Sequence, residues 1–130
     1  MDSKTVLLVD DDMDVLESTQ YLLMDEGFDV ITARNGQEAI SEFIGNKPGI
    51  IFMDIKMPIM DGYDAFYKIK KLDKNAKIVF TSSYAIDNEK FQKAKESTLC
   101  DLLNKPFDID SMIEMIKKYV PQLERKVSNP

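Results

Sequence analysis

The 130-residue chain contains no histidine, so imidazole catalysis and histidine-bound metal are excluded for its own residues. Cysteine occurs once, at Cys100, in an apolar stretch. No disulfide can form within the chain, and a reduced, cytoplasmic setting is expected. Long apolar runs are also missing. None approaches the roughly 20 residues of a membrane span, and the first residues carry no signal-peptide pattern. Basic side chains are outnumbered 17 to 23, giving a net charge of −6. A dedicated nucleic-acid binder carries a basic face, so direct binding to nucleic acid is not expected. There is no internal repeat and no low-complexity segment.

What is present is ordinary for a globular domain. Hydrophobic residues make up 44% and charged residues 31%, enough for one domain with a proper core. That domain is expected over residues 1–120, with residues 121–130 as a polar tail or linker stub. The informative stretch is Ile50-Ile51-Phe52-Met53-Asp54-Ile55-Lys56-Met57-Pro58. Four apolar residues run into one carboxylate, between Pro48-Gly49 and Met57-Pro58. So short a run reads as a strand buried on both faces. Asp54 then either ends that strand with a solvated side chain or lies at the centre of a site.

Four further runs resemble it. They are Thr5–Val9, Asp29–Ala33, Lys77–Ser82 and Leu99–Leu103. Helical periods fall between them. Val15, Leu16, Thr19, Leu22 and Leu23 form one expected core face, stopped by Gly27. Ala39, Ile40, Phe43 and Ile44 form the next, after Asn35-Gly36. Asp61 is placed to cap a helix carrying Ala65, Phe66 and Ile69. Asp87 is placed to cap one with Phe91, Ala94 and Lys95, and Asp108 one with Met112, Ile113, Ile116 and Val120. Strands alternating with helices imply βαβ units, hence a doubly wound five-stranded parallel sheet of the α/β class.

All carboxyl ends of a parallel sheet lie on one edge, where ligands of open sheets bind. That edge would collect Asp10 and Asp11, Asp54, Ser82 and Lys105. Three adjacent carboxylates repel and disfavour one another's ionised form. A hard divalent cation relieves the repulsion, and carboxylates, a backbone carbonyl and water suit Mg²⁺. The cation and Lys105 would then hold a phosphoryl group, whose transfer depends on positioning and charge neutralisation. A carboxylate can serve as its nucleophile. Asp12 is better read as a helix cap. A calcium loop starting at Asp10 fails, because Val15 stands where glycine is needed and Tyr21 where a bidentate glutamate is needed. Asp61-Gly62 reads as a turn and cap.

Leu7-Leu8-Val9-Asp10-Asp11, then Met53 to Pro58 with Met60-Asp61-Gly62, then Lys105-Pro106-Phe107 together resemble the receiver domains of two-component response regulators. The resemblance spans roughly Lys4 to Val120. It implies the flavodoxin-like strand order 2-1-3-4-5, with Asp54 as phosphoacceptor. It implies Mg²⁺ held by Asp10, Asp11, Asp54 and the backbone carbonyl of Lys56. Ser82 and Lys105 would contact the phosphoryl group, and the Lys105–Pro106 bond would be cis. Lys56 and Tyr84 would line the path of attacking water. The implied partners are a sensor histidine kinase or a histidine phosphotransfer protein, and an effector at the face of helix 4, strand 5 and helix 5. The domain would act only on itself, with no turnover enzyme activity. Two positions depart from the family pattern. Serine stands at the hydroxyl position, flanked by Thr81 and Ser83, and Leu102 replaces the switch aromatic.

Two other readings use the same residues. Asp10-x-Asp12 after a strand resembles the opening of haloacid-dehalogenase-type phosphohydrolases, with Asp10 as nucleophile. The short chain and the idle Asp54 weigh against it. A phosphate-independent pseudo-receiver is disfavoured because every acidic residue and Lys105 are present.

Overall fold

Five strands and five helices alternate along the chain in the computed structural model, which describes residues 5–83 and 88–123. In order they are β1 (Thr5–Val9), α1 (Met13–Asp25), β2 (Asp29–Ala33), α2 (Gly36–Asn46), β3 (Ile50–Asp54), α3 (Gly62–Leu72), β4 (Ile78–Ser82), α4 (Asn88–Glu96), β5 (Asp101–Asn104) and α5 (Ile109–Tyr119). All strand pairs are parallel, and the order is β2-β1-β3-β4-β5. This is the doubly wound parallel sheet that the sequence pattern implies, in the flavodoxin-like order that the receiver-domain resemblance implies.

The central strands read as unbroken apolar runs because both of their faces are covered. Leu7, Val9, Ile51, Met53, Ile78 and Phe80 point into one core, with Ala39, Phe43, Phe66 and Ala94 from α2, α3 and α4. Val6, Leu8, Ile50, Phe52 and Val79 point into the other, with Leu16, Leu23, Met112, Ile113 and Ile116 from α1 and α5. Each large side chain buried this way stabilises the fold by about 1.5–3 kcal/mol. At the sheet edge, Tyr119 donates its hydroxyl to Asp101 at 2.6 Å, tying β5 to α5.

Side-chain caps set the helix starts. Asp12 accepts from the Asp14 and Val15 amides, Asn35 from Glu38, Asp61 from Asp64 and Asp108 from Ser111. Gly27 stops α1 with φ 98°, where a Cβ would be strained. Asp87 as a cap, and Tyr84, lie outside the described residues.

Two helix-face expectations fail. Leu22 and Ile44 are exposed, at 45% and 58%. Each stands one residue from a truly buried partner, Leu23 or Phe43, and about 100° of helical turn carries it off the core. Along α4, Ala94 is buried and Lys95 is exposed, its ammonium over the Phe91 ring. The fifth strand also begins later than its apolar run. Leu99 is buried in the core, and the Cys100 amide donates to the Ile78 carbonyl, but strand pairing starts at Asp101.

Candidate functional site

Register brings the polar residues together. Val9 pairs with Met53, so the next residues, Asp10 and Asp54, leave the sheet side by side. Asp54 pairs with Thr81, and Ser82 with Asn104. The Lys105 amide then donates to the Ser82 carbonyl at 2.8 Å, which sets Lys105 beside the end of β4. The Lys105–Pro106 bond is cis.

Asp10, Asp11 and Asp54 each offer a carboxylate oxygen, and these oxygens lie within 4.8 Å of one another. Asp11 is exposed, whereas Asp10 and Asp54 are only 5% and 7% exposed. Lys105 Nζ donates to Asp10 Oδ2 at 2.5 Å and lies 3.5 Å from Asp54 Oδ2. Asp10 is held on its other oxygen as well, which accepts from the Asp12 amide at 2.9 Å.

Burial pushes the Asp54 carboxyl up to about 6, and the Asp10 charge pushes the same way. Lys105 pulls it down but does not win. Burial also works against the Lys105 ammonium, yet its hydrogen bond to Asp10 and the nearby Asp54 charge hold its pKa above the ordinary lysine value. The pocket therefore has more negative charge than one lysine balances. Three hard oxygen donors in mutual repulsion fit a small divalent cation.

Among the hydroxyls, Ser83 is exposed beyond the end of β4, and Thr81 and Ser82 are buried. Thr81 lines a small apolar cavity with Phe52, Leu16 and Met112, on the α1–α5 side. Ser82 is one step nearer the carboxyl edge and shares its ladder position with Asn104, next to Lys105. Lys56 is exposed, two residues past Asp54. Leu102 is partly buried against the core on the α3–α4 side.

Gly62 has a role beyond the turn read from sequence. Its amide donates to the Ile55 carbonyl at 2.7 Å. A Cβ there would stand 2.5 Å from the Asp54 carbonyl oxygen and 2.8 Å from Ile55 Cα. The start of α3 thus presses directly on the backbone that carries Asp54. The Asp-Gly pair gives that glycine away as a turn residue, but only the fold shows what it presses against.

The family model "Response regulator receiver domain" matches residues 6–117. The chain is 29% identical over 121 residues to sporulation initiation phosphotransferase F of Bacillus subtilis, covering 93% of this chain and 97% of that one. Its fold is similar to a CheY-like receiver domain protein from Methanospirillum hungatei, with a TM-score of 0.86 and 27% identity over 93% and 96% of the two chains. It is also similar to the response regulator TrrA of Thermotoga maritima, solved in complex with Mg²⁺ and BeF. There the TM-score is 0.79 and the identity 28%, over 92% and 100% of the chains.

Proposed function

The chain belongs to the response regulator receiver domain family, and from that premise we propose that it accepts a phosphoryl group on Asp54 from a phosphohistidine. The donor is a sensor histidine kinase or a histidine phosphotransfer protein. The observation that carries this reading is the buried Asp54 carboxylate, clustered with Asp10 and Asp11 and 3.5 Å from Lys105.

The nucleophile is the ionised carboxylate. With a pKa of about 6, Asp54 is roughly nine-tenths ionised at pH 7. An Asp54 oxygen attacks phosphorus, the N–P bond breaks, and its electron pair returns to the donor imidazole, which takes a proton from solvent. Asp10, Asp11, Asp54 and the Lys56 carbonyl would hold Mg²⁺, which supplies charge neutralisation to the transferring group. Lys105 orients the phosphoryl oxygens, and Ser82 donates its hydroxyl to one of them. The outcome is a signal read at the face of α4, β5 and α5 rather than a released product. The reaction is confined to the protein's own aspartate, in a cytoplasmic setting.

Asp10 is poorly suited to be the nucleophile of a hydrolase. Both of its oxygens accept hydrogen bonds, from Asp12 and from Lys105. The test is intact-mass measurement after incubation with acetyl phosphate. One phosphoryl group should appear with Mg²⁺ and fail to appear with a chelator. No mass gain under either condition would contradict the proposal.

A further inference from the structure

Isoleucine is a costly residue for the turn that holds Ile59. The Met60 amide donates to the Pro58 carbonyl at 2.8 Å, closing a three-residue turn. Ile59 at its centre has φ 72°. Turns of this hand are rare and strained, and a β-branched residue suits left-handed backbone least. Glycine or asparagine would make the same turn more cheaply. Packing within the chain does not explain the residue either, since Ile59 is 82% exposed. Its neighbours Met57 and Met60 pack against the core and pin the turn on both sides. The turn presents one aliphatic side chain to the outside.

That side chain overhangs a groove. Ile59, Met60, Asp64, Tyr67, Lys68 and Lys71 line it along the outer face of α3, and Leu72, 55% exposed, extends the stripe one turn past Lys68. The groove's charged lining is Lys68 and Lys71 against Asp64, a locally basic balance on an acidic protein. An occupant needs apolar side chains with acidic margins. Such a surface lies on the opposite side of the same chain. Helix α1 has no basic residue, and its outward stripe is Asp14, Glu17, Tyr21, Met24 and Asp25. Tyr21 is 70% exposed and Met24 55%. Because α1 packs with α5 on one face of the sheet and α3 with α2 and α4 on the other, α1 cannot reach the groove of its own chain.

We propose that the α1 face of a second copy of this chain seats in the α3 groove beneath Ile59. The two surfaces differ, so the contact is head-to-tail, and it extends into short open chains instead of closing on a dimer. Part of it is electrostatic between exposed charges, so salt weakens it.

Sedimentation over rising protein concentration at low salt tests this. Wild type should climb above monomer mass and fall back at high salt. Ile59→Asn, which suits the left-handed turn, should melt at or above the wild-type temperature and remain monomeric. Tyr21→Lys should also remain monomeric. An equimolar mixture of the two keeps one intact groove and one intact α1, so it should give a 1:1 dimer and nothing larger. Monomeric wild type throughout, association that survives in either variant, or a mixture that stays monomeric would each overturn the proposal.

Discussion

Lys105 donates to Asp10 at 2.5 Å, closing a contact between residues 95 positions apart in sequence. In this arrangement the lysine is nearer Asp10 than the aspartate proposed as acceptor, which lies 3.5 Å away. A cation taken up by Asp10 and Asp11 would compete with that bond and free Lys105 to turn toward a group on Asp54. The pocket would be prepared by metal first and phosphoryl second.

Metal should therefore stabilise the protein on its own. A ligand that binds only the native state raises stability by mass action. Thermal melting with Mg²⁺ in the millimolar range should shift upward for wild type and not for Asp11→Ala. An unshifted wild type at saturating Mg²⁺ would remove the cation from the account.

Asp54 makes a signed pH prediction. Its folded pKa, about 6, lies above the ordinary 3.8. The folded state therefore binds the extra proton, and the associated stability is fully present below about pH 4 and lost as pH rises through 6. Two pK units correspond to about 3 kcal/mol. In metal-free buffer, Asp54→Asn should be more stable than wild type at pH 8 by up to that amount, and the advantage should vanish at pH 4. Chemical denaturation at the two pH values measures it. An equal difference at both would show that burial does not raise this carboxyl.

Gly62 and Gly45 should respond oppositely to alanine. At Gly62 the new methyl meets the Asp54 and Ile55 backbone at 2.5 and 2.8 Å, so overpacking of about 1–3 kcal/mol is expected, with slower phosphorylation. At Gly45, inside α2, it meets nothing within 4 Å among the described residues, and a gain of about 0.5–1 kcal/mol is expected. Urea unfolding of both variants, with acetyl phosphate labelling, makes the comparison.

The output should depend on Ser82 more than on Leu102. A hydroxyl turning toward the phosphoryl group biases states that already exist, whereas Leu102 has no polar tip to follow it. Amide NMR of α4 with beryllofluoride should show similar shifts in wild type and Leu102→Ala, and much smaller ones in Ser82→Ala. Loss of the response in Leu102→Ala alone would make position 102 the switch.

The sheet and its rim were legible for one reason. A strand buried on both faces is apolar throughout, so the residue where polarity returns marks the carboxyl edge. Asp10, Asp54 and Lys105 stand at or just past that change, in order along the chain. Helix faces were less legible. A core stripe is broad, and neighbours such as Leu22 and Leu23 separate only when the helix is seated on the sheet. The start of β5 was blurred because Leu99 serves the core without joining the ladder. The pressure of Gly62 on the Asp54 backbone and the left-handed turn at Ile59 are properties of close approach and dihedral angle, which residue types alone do not reveal.

The most direct measurement locates the phosphoryl group. Wild type, Asp54→Asn and Asp10→Asn are each treated with acetyl phosphate and Mg²⁺, and intact mass and peptide mapping are recorded. The account predicts one phosphoryl group on the wild-type peptide containing Asp54 and none in Asp54→Asn, with at most slowed labelling in Asp10→Asn. Label that persists in Asp54→Asn and disappears in Asp10→Asn would contradict it.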